Sequence, residues 1–176
     1  MSTPISTKPE ATEYAAPYET YVRLVPDGNV ITLLGRQMDE TLALLRDVPE
    51  SVAETLHAPY TWSIKEVVGH IADCERIFAD RAFRFARGDT TELPGMDEHV
   101  YVRHARSNAR SLPDLLDEYE AVRRSTFLFL QSLNAEAWLR SGVANGFSVT
   151  VRALASIIAG HERHHVNILR KRLSAS

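Results

Sequence analysis

The chain has 176 residues, with 20 basic and 23 acidic side chains and a formal net charge of −3. One domain is expected at this length, burying about 70% of the unfolded surface, enough for a core without disulfides or a structural metal. The single Cys74 excludes an internal disulfide framework and a multi-cysteine zinc site, and the mild negative charge argues against phosphate-neutralising nucleic-acid binding. No apolar run approaches the roughly 18 residues of a membrane span. The start, MSTPISTKPEATEY, carries no apolar stretch of the kind a secretory signal needs. These readings predict a cytoplasmic protein without a nucleic-acid or membrane partner.

Residues 1–16 are rich in Ser, Thr, Pro, Glu and Ala and are expected to form a mobile tail, with the folded domain spanning 17–176. Tyr14, Tyr18, Tyr21, Val22, Leu24 and Val25 predict a segment that docks on the body ahead of the Asp27-Gly28 turn.

Four helical patterns follow. The first spans about Asn29 to Arg46, with Ile31, Leu34, Met38, Leu42 and Leu45 on one face, and Pro49 stops it. The second runs from the Ser63–Glu66 capping box to about Arg87, with Gly88 as its C-terminal cap. Its apolar arc is wide enough for a central helix. On that helix Glu75 needs a partner if buried, and Arg123 or Arg152 can supply one. Its other charges, Arg81 among them, are expected to be solvated or paired along the helix, as in Asp80–Arg84.

The third helix runs from Ser111, an N-cap with Pro113 in the first turn, to about Ser132. The fourth runs from Thr150 to about Leu173 and ends in the cations Arg170, Lys171 and Arg172. Asp89 to Arg110 is a long connection, expected to be functional or to carry short structure of its own. Asn134 to Val149 has its tightest turn signal at Asn145-Gly146. An all-α four-helix bundle is the simplest way to bury four such stripes.

The chemistry lies in the fourth helix. Its inward stripe reads Val151, Leu154, Ile158, His161, His165 and Ile168, so two histidines occupy an otherwise apolar seam. An unpartnered buried imidazole costs about 1–3 kcal/mol. At i and i+4 the two rings share a face and can converge on one ion. The alternative is a pair of core histidines bonded to side chains or water. His70, mid-way along the second helix, is the best third ligand. Cys74, one turn on, also comes within reach, although a lone buried cysteine is more often apolar filler. His164 lies 100° around the helix from His165 and should miss the site. His99 and His104 sit in the long connection and can cover it; His57 is assigned no role.

His161-Glu162-x-x-His165 also matches the H-E-x-x-H pattern of zinc peptidases, with Glu162 as candidate base. Those enzymes take a third ligand downstream, and nothing after His165 is His, Asp, Glu or Cys. The helical composition also supplies no strand to bind a peptide. Glu162 is therefore a candidate catalytic or supporting residue, with an ordinary ion pair as the alternative.

The chain resembles the DinB/YfiT superfamily of helical-bundle metalloenzymes. The resemblance extends from YETYVRLVP at Tyr18–Pro26 to Arg172. It rests on Trp62–Glu66, Gly69–Asp73 with Glu75-Arg76, Ala144-Asn145-Gly146 and the closing GHERHHVNILR. It implies an up-down-down-up bundle, a homodimer, and a divalent metal, nickel or zinc, on His70, His161 and His165, the three residues that the seam also selects. Several relatives use low-molecular-weight thiols such as bacillithiol or mycothiol.

The leading expectation is a metal-dependent enzyme acting on a small molecule. Three neutral imidazoles leave coordination positions open, and the ion would activate a thiol for S-transfer or water for hydrolysis. Arg103, Arg106 and Asn145 are candidates at the substrate mouth. Two other readings stay open: a non-catalytic metal- or small-molecule-binding bundle in a stress response, and a purely structural helical protein.

Overall fold

The structure is a computed structural model that describes residues 8–56 and 58–174. His57 and the first residues of the expected tail lie outside these. The stretch from Glu10 folds onto the body. A short turn at Ala11–Glu13 brings the Glu13 carboxylate to Arg152 and the Thr150 hydroxyl.

Helix α1 (Glu19–Val22) follows, and α2 (Val30–Leu45) is capped by Asn29, whose Oδ1 accepts from Ile31 N at 2.9 Å and Thr32 N at 3.2 Å. The buried line of α2 passes through Val30, Leu34, Gln37, Thr41 and Leu45, whereas Ile31 and Met38 of the expected stripe are half-buried. The helix is rotated so that two polar side chains face inward.

The turn α3 (Glu50–Ala53) ties two helices together: Glu50 accepts the Leu112 N–H at 2.7 Å and pairs with buried Lys65. Helix α4 (Ile64–Ala86) starts at the expected capping box, with Ser63 Oγ accepting from Glu66 N at 3.1 Å and Glu66 accepting from Ser63 N at 2.8 Å.

The long connection carries α5 (Glu98–Ala105) and a turn at Ser107–Ala109. Helix α6 (Leu112–Gln131) is capped by Ser111. After α7 (Ala135–Leu139) the chain forms a hairpin, β1 (Ser141–Ala144) with β2 (Phe147–Thr150), and then enters α8 (Val151–Ser174). The hairpin corrects the expectation of a strandless chain. Its turn places Asn145 at φ 54° and Gly146 at φ 77°, the left-handed pair that Asn-Gly adopts readily. Leu93, in the long connection, forms an isolated parallel bridge to Ala144 at the edge of the hairpin.

Contacts between helices fix the bundle. Arg123 of α6 faces Glu75 at the middle of α4, and Glu50 joins the starts of both, so α4 and α6 run parallel. Arg140, whose carbonyl accepts the Val151 N–H at the start of α8, reaches the last turn of α4, and Arg172 near the end of α8 reaches Trp62 before α4, so these two run antiparallel. Gln37 and Thr41 of α2 meet Ala159 and Glu162 of α8 in the same direction. The order is up-down-down-up. The apolar core comprises two clusters, one around Leu34, Phe85, Leu130 and Leu154, the other around Leu45, Ile71, Leu115 and Leu169. A layer of buried polar side chains separates them.

Candidate metal centre

His70 comes from that layer on α4, and His161 and His165 from successive turns of α8. One ring nitrogen of each lies within 4.8 Å of the others. His70 Nε2 and His161 Nε2 are 3.1 Å apart. Two nitrogens bound to one ion at 2.0–2.1 Å with a tetrahedral angle stand about 3.3 Å apart, so the spacing fits a shared ion. His161 is 5% exposed and His70 is also buried, whereas His165 keeps partial access. Burial pushes the His70 pKa down to about 4, partly offset by Glu98, and burial together with His70 pushes His165 down to about 3. Burial and the neighbouring imidazoles hold His161 well below its ordinary value. All three are neutral at pH 7, the form a metal requires.

Aromatic residues fix the rings. Trp62 lies 4.7 Å from His70 between ring centroids, and Tyr21 lies 5.2 Å from His161. Trp62 is itself held by Arg172, whose NH1 donates to its carbonyl at 3.0 Å, so Arg172 serves the site as well as the helix end. Tyr21 reaches α8 because position 160 is glycine: a β-carbon there would sit 2.2 Å from the Tyr21 carbonyl oxygen. The docking segment expected from its tyrosines is thus part of the site.

The imidazoles open into a cavity of about 390 Å³, walled by Tyr18, Phe78, Met96 and Phe147, with Arg81 and Asn145 also in its lining. A separate cleft of about 40 Å³ between α2 and α8 lies behind Glu162.

Several expectations change. Glu162 does not face the cavity. Its carboxylate is 1% exposed and accepts from Thr41 Oγ1 at 2.7 Å, from Arg123 NH1 at 2.7 Å and from the Tyr119 hydroxyl. One residue is 100° of helix, so Glu162 leaves the face that His161 occupies, and it cannot serve as a base there. Glu75 takes Arg123 as its partner, at 2.7 Å, whereas Arg152 pairs with Glu13. Arg84 pairs with Asp89 at 2.7 Å rather than with Asp80.

His164 stays outside the three but is half-buried in the cavity wall, 5.7 Å from the Tyr21 ring. Cys74 Sγ is 3.6 Å from the His70 ring nitrogens, and burial pushes its thiol up to about 12, so it is protonated in the metal-free protein. His99 stands 5.5 Å from Trp62 at the rim, whereas His104 lies on the outer face of α5. Arg103 and Arg106 are exposed and outside the cavity.

Arg81 is the residue that sequence reading missed. Its signal was present: it falls on the same α4 face as His70, Cys74 and Phe78, at steps of 4, 4 and 3.

Fold and site define a class: an up-down-down-up helical bundle whose polar mid-layer opens three imidazoles to a cavity. The chain belongs to the DinB superfamily, whose family profile matches residues 33–169. Among solved structures it is similar to YfiT from Bacillus subtilis, described as a probable metal-dependent hydrolase with an unusual four-helix bundle topology. That match has a TM-score of 0.72 and 17% identity over 81% of this chain and 83% of the other. It is also similar to a DinB-like protein, YjoA, of Bacillus subtilis (TM-score 0.60, 20% identity, 84% and 92% covered). A third likeness is to a mycothiol-dependent maleylpyruvate isomerase (TM-score 0.63, 15% identity), of which the chain spans 58% and which covers 78% of this chain. At these identities the likeness is one of fold. No curated protein sequence matches. Among the described residues no helix is long and apolar enough to cross a membrane.

Proposed function

We propose that the protein is a metal-dependent enzyme in which His70, His161 and His165 hold a divalent ion, nickel or zinc, and the cavity receives a small-molecule substrate. The observation that carries this reading is the convergence of three neutral imidazoles from two helices, within 4.8 Å of one another, at the end of an open cavity. A closed structural zinc site has four protein ligands, whereas three leave room for chemistry. A divalent ion held this way supplies Lewis acidity, which generates a nucleophile from water or a thiol at neutral pH. The protein's own residues do the rest. Trp62 and Tyr21 orient the rings, and Tyr18 and Phe78 shield the reacting end from bulk water.

The reaction is a hydrolysis or a thiol S-transfer, with a low-molecular-weight thiol as co-substrate in the second case. The YfiT and isomerase likenesses support both classes. We further propose a cytoplasmic homodimer without nucleic-acid or membrane partners.

Elemental analysis of untagged protein tests the site: about one nickel or zinc per chain is expected, and none in His161→Ala. Equal metal content in the two would refute it. A panel of thiols with electrophiles, set beside a panel of esters, then separates transfer from hydrolysis. Bound metal with no turnover on either panel would leave a binding protein instead of an enzyme.

A further inference from the structure

Arg81 is 4% exposed, yet among the described residues no carboxylate pairs with it. Its one hydrogen bond runs from NH2 to the Pro94 carbonyl at 2.7 Å. A guanidinium carries five N–H donors in a rigid fork, and a buried cation without a counter-ion is costly. Arg123, in the same bundle, shows the usual solution, with carboxylates on both sides. Arg81 instead lines the histidine cavity, and it also borders a neighbouring groove beside Asp80 and Arg84.

Its place in that cavity is defined. It is 11 residues beyond His70 on α4, roughly 16 Å along the axis and on nearly the same face. Phe78 spans the interval: its ring lies 6.0 Å from the His161 ring and 5.8 Å from the Arg81 guanidinium carbon. A second polar group shares the lining with Arg81. Asn145, at the hairpin tip, packs so tightly on Gly95 that a β-carbon there would lie 2.3 Å from its Oδ1. Gly95 follows the Pro94 that Arg81 holds, so both side chains brace one short segment. The Asn145 amide makes no side-chain hydrogen bond among the described residues. The one carboxylate in the lining, Glu98, is exposed and makes no ion pair with Arg81 among the described residues; its charge bears on His70.

Building on the metal-enzyme reading of this cavity, we infer that its substrate carries a carboxylate, which Arg81 receives at the end remote from the histidines, with Asn145 as a second donor. The reacting group then lies at the imidazoles, and an apolar spacer lies along Phe78 and Met96. Glu98 disfavours the reverse orientation by like-charge repulsion. Arg81 is a specificity residue, and the missing counter-ion is the ligand itself.

Calorimetric titration with 8-mercaptooctanoate and its neutral amide tests this, on both zinc-loaded and metal-free protein. The acid is expected to bind at least tenfold more tightly than the amide in both forms. Arg81→Met should abolish the preference while keeping the affinity for the amide and the zinc content. Arg81→Lys should keep part of it. Asn145→Asp, which leaves Arg81 in place and tolerates the left-handed backbone, should weaken the acid alone, and it serves if Arg81→Met fails to fold. Equal binding of acid and amide by the wild type, or a preference that survives in Arg81→Met, would overturn the inference. Absence of zinc uptake with the Arg81-dependent preference intact would sink the metal reading and keep this one. One zinc per chain with no preference would do the reverse.

Discussion

The mid-layer of this bundle holds two polar regions back to back, built from alternate faces of the same helices. Toward α2 and α6, Glu75, Arg123 and Glu162 form a closed ion triad, to which Tyr119 and Thr41 donate. Toward α1 and α5, His70, His161 and His165 face a cavity. The triad satisfies itself: Arg123, 1% exposed, donates to both carboxylates and to the Leu34 carbonyl. Burial alone would lower its pKa, but the two carboxylates hold it well above the ordinary value. The histidines meet chiefly one another, with Nε2 of His70 and of His161 3.1 Å apart, and no charged partner completes them. A polar group that is buried and completed by its neighbours stabilises or specifies a fold. One that is buried and left incomplete awaits a ligand.

The sharpest way to break the contrast is to open the closed side. Arg123→Met leaves two buried carboxylates facing each other and is expected to cost about 3–5 kcal/mol in urea denaturation. Replacing Glu75, Arg123 and Glu162 together by apolar residues should recover most of that loss, because a well-packed apolar triad replaces a buried ionic one at little net cost. Removing a ligand from the open side acts on metal and spares the fold. Loss of a group that merely orients a ligand weakens metal binding by about 10–100-fold, so His161→Ala should weaken it by on the order of 100-fold or more. His164→Ala should leave it unchanged, and competition with a chelator measures both.

Gly160→Ala should cost about 1–3 kcal/mol by forcing Tyr21 off α8, and faster hydrogen exchange in residues 18–25 would report it. The effect of pH follows from the depressed imidazole values. The unfolded chain binds protons near pH 6.5, whereas folded His70 and His165 bind them only near 4 and 3. Metal-free protein should therefore lose stability as pH falls from about 6.5 toward 3, with no contribution from these groups above 6.5. A His70→Ala/His165→Ala variant should show a shallower acid profile in thermal melts. The smallest effect belongs to the surface: Glu40→Ala removes exposed pairs with Arg36 and Arg170 and should change stability by about 0.5 kcal/mol or less.

Local signals placed the four long helices. Ser63 and Ser111 cap where their side chains predict, because a capping bond is made within a few residues of sequence. The i, i+4 histidines on an apolar seam were legible for the same reason. The inner face of α2 was not, since Gln37 and Thr41 read as surface residues until Glu162 on α8 supplies a partner. The hairpin was marked only by Asn145-Gly146, in strands of four residues each, too short for periodicity to register.

Sequence by itself determined the bundle class, the helix boundaries and the histidines that share one helix face, because these depend on propensity, capping and a period of 3.6 residues. Tertiary structure decided which carboxylates are locked away and which cation is left without one. Glu162 and Arg81 each lie on a helix rich in charges, and only the packing of neighbouring helices sets their separate fates. Burial is a property of what surrounds a side chain, and for both residues those surroundings come from distant parts of the chain.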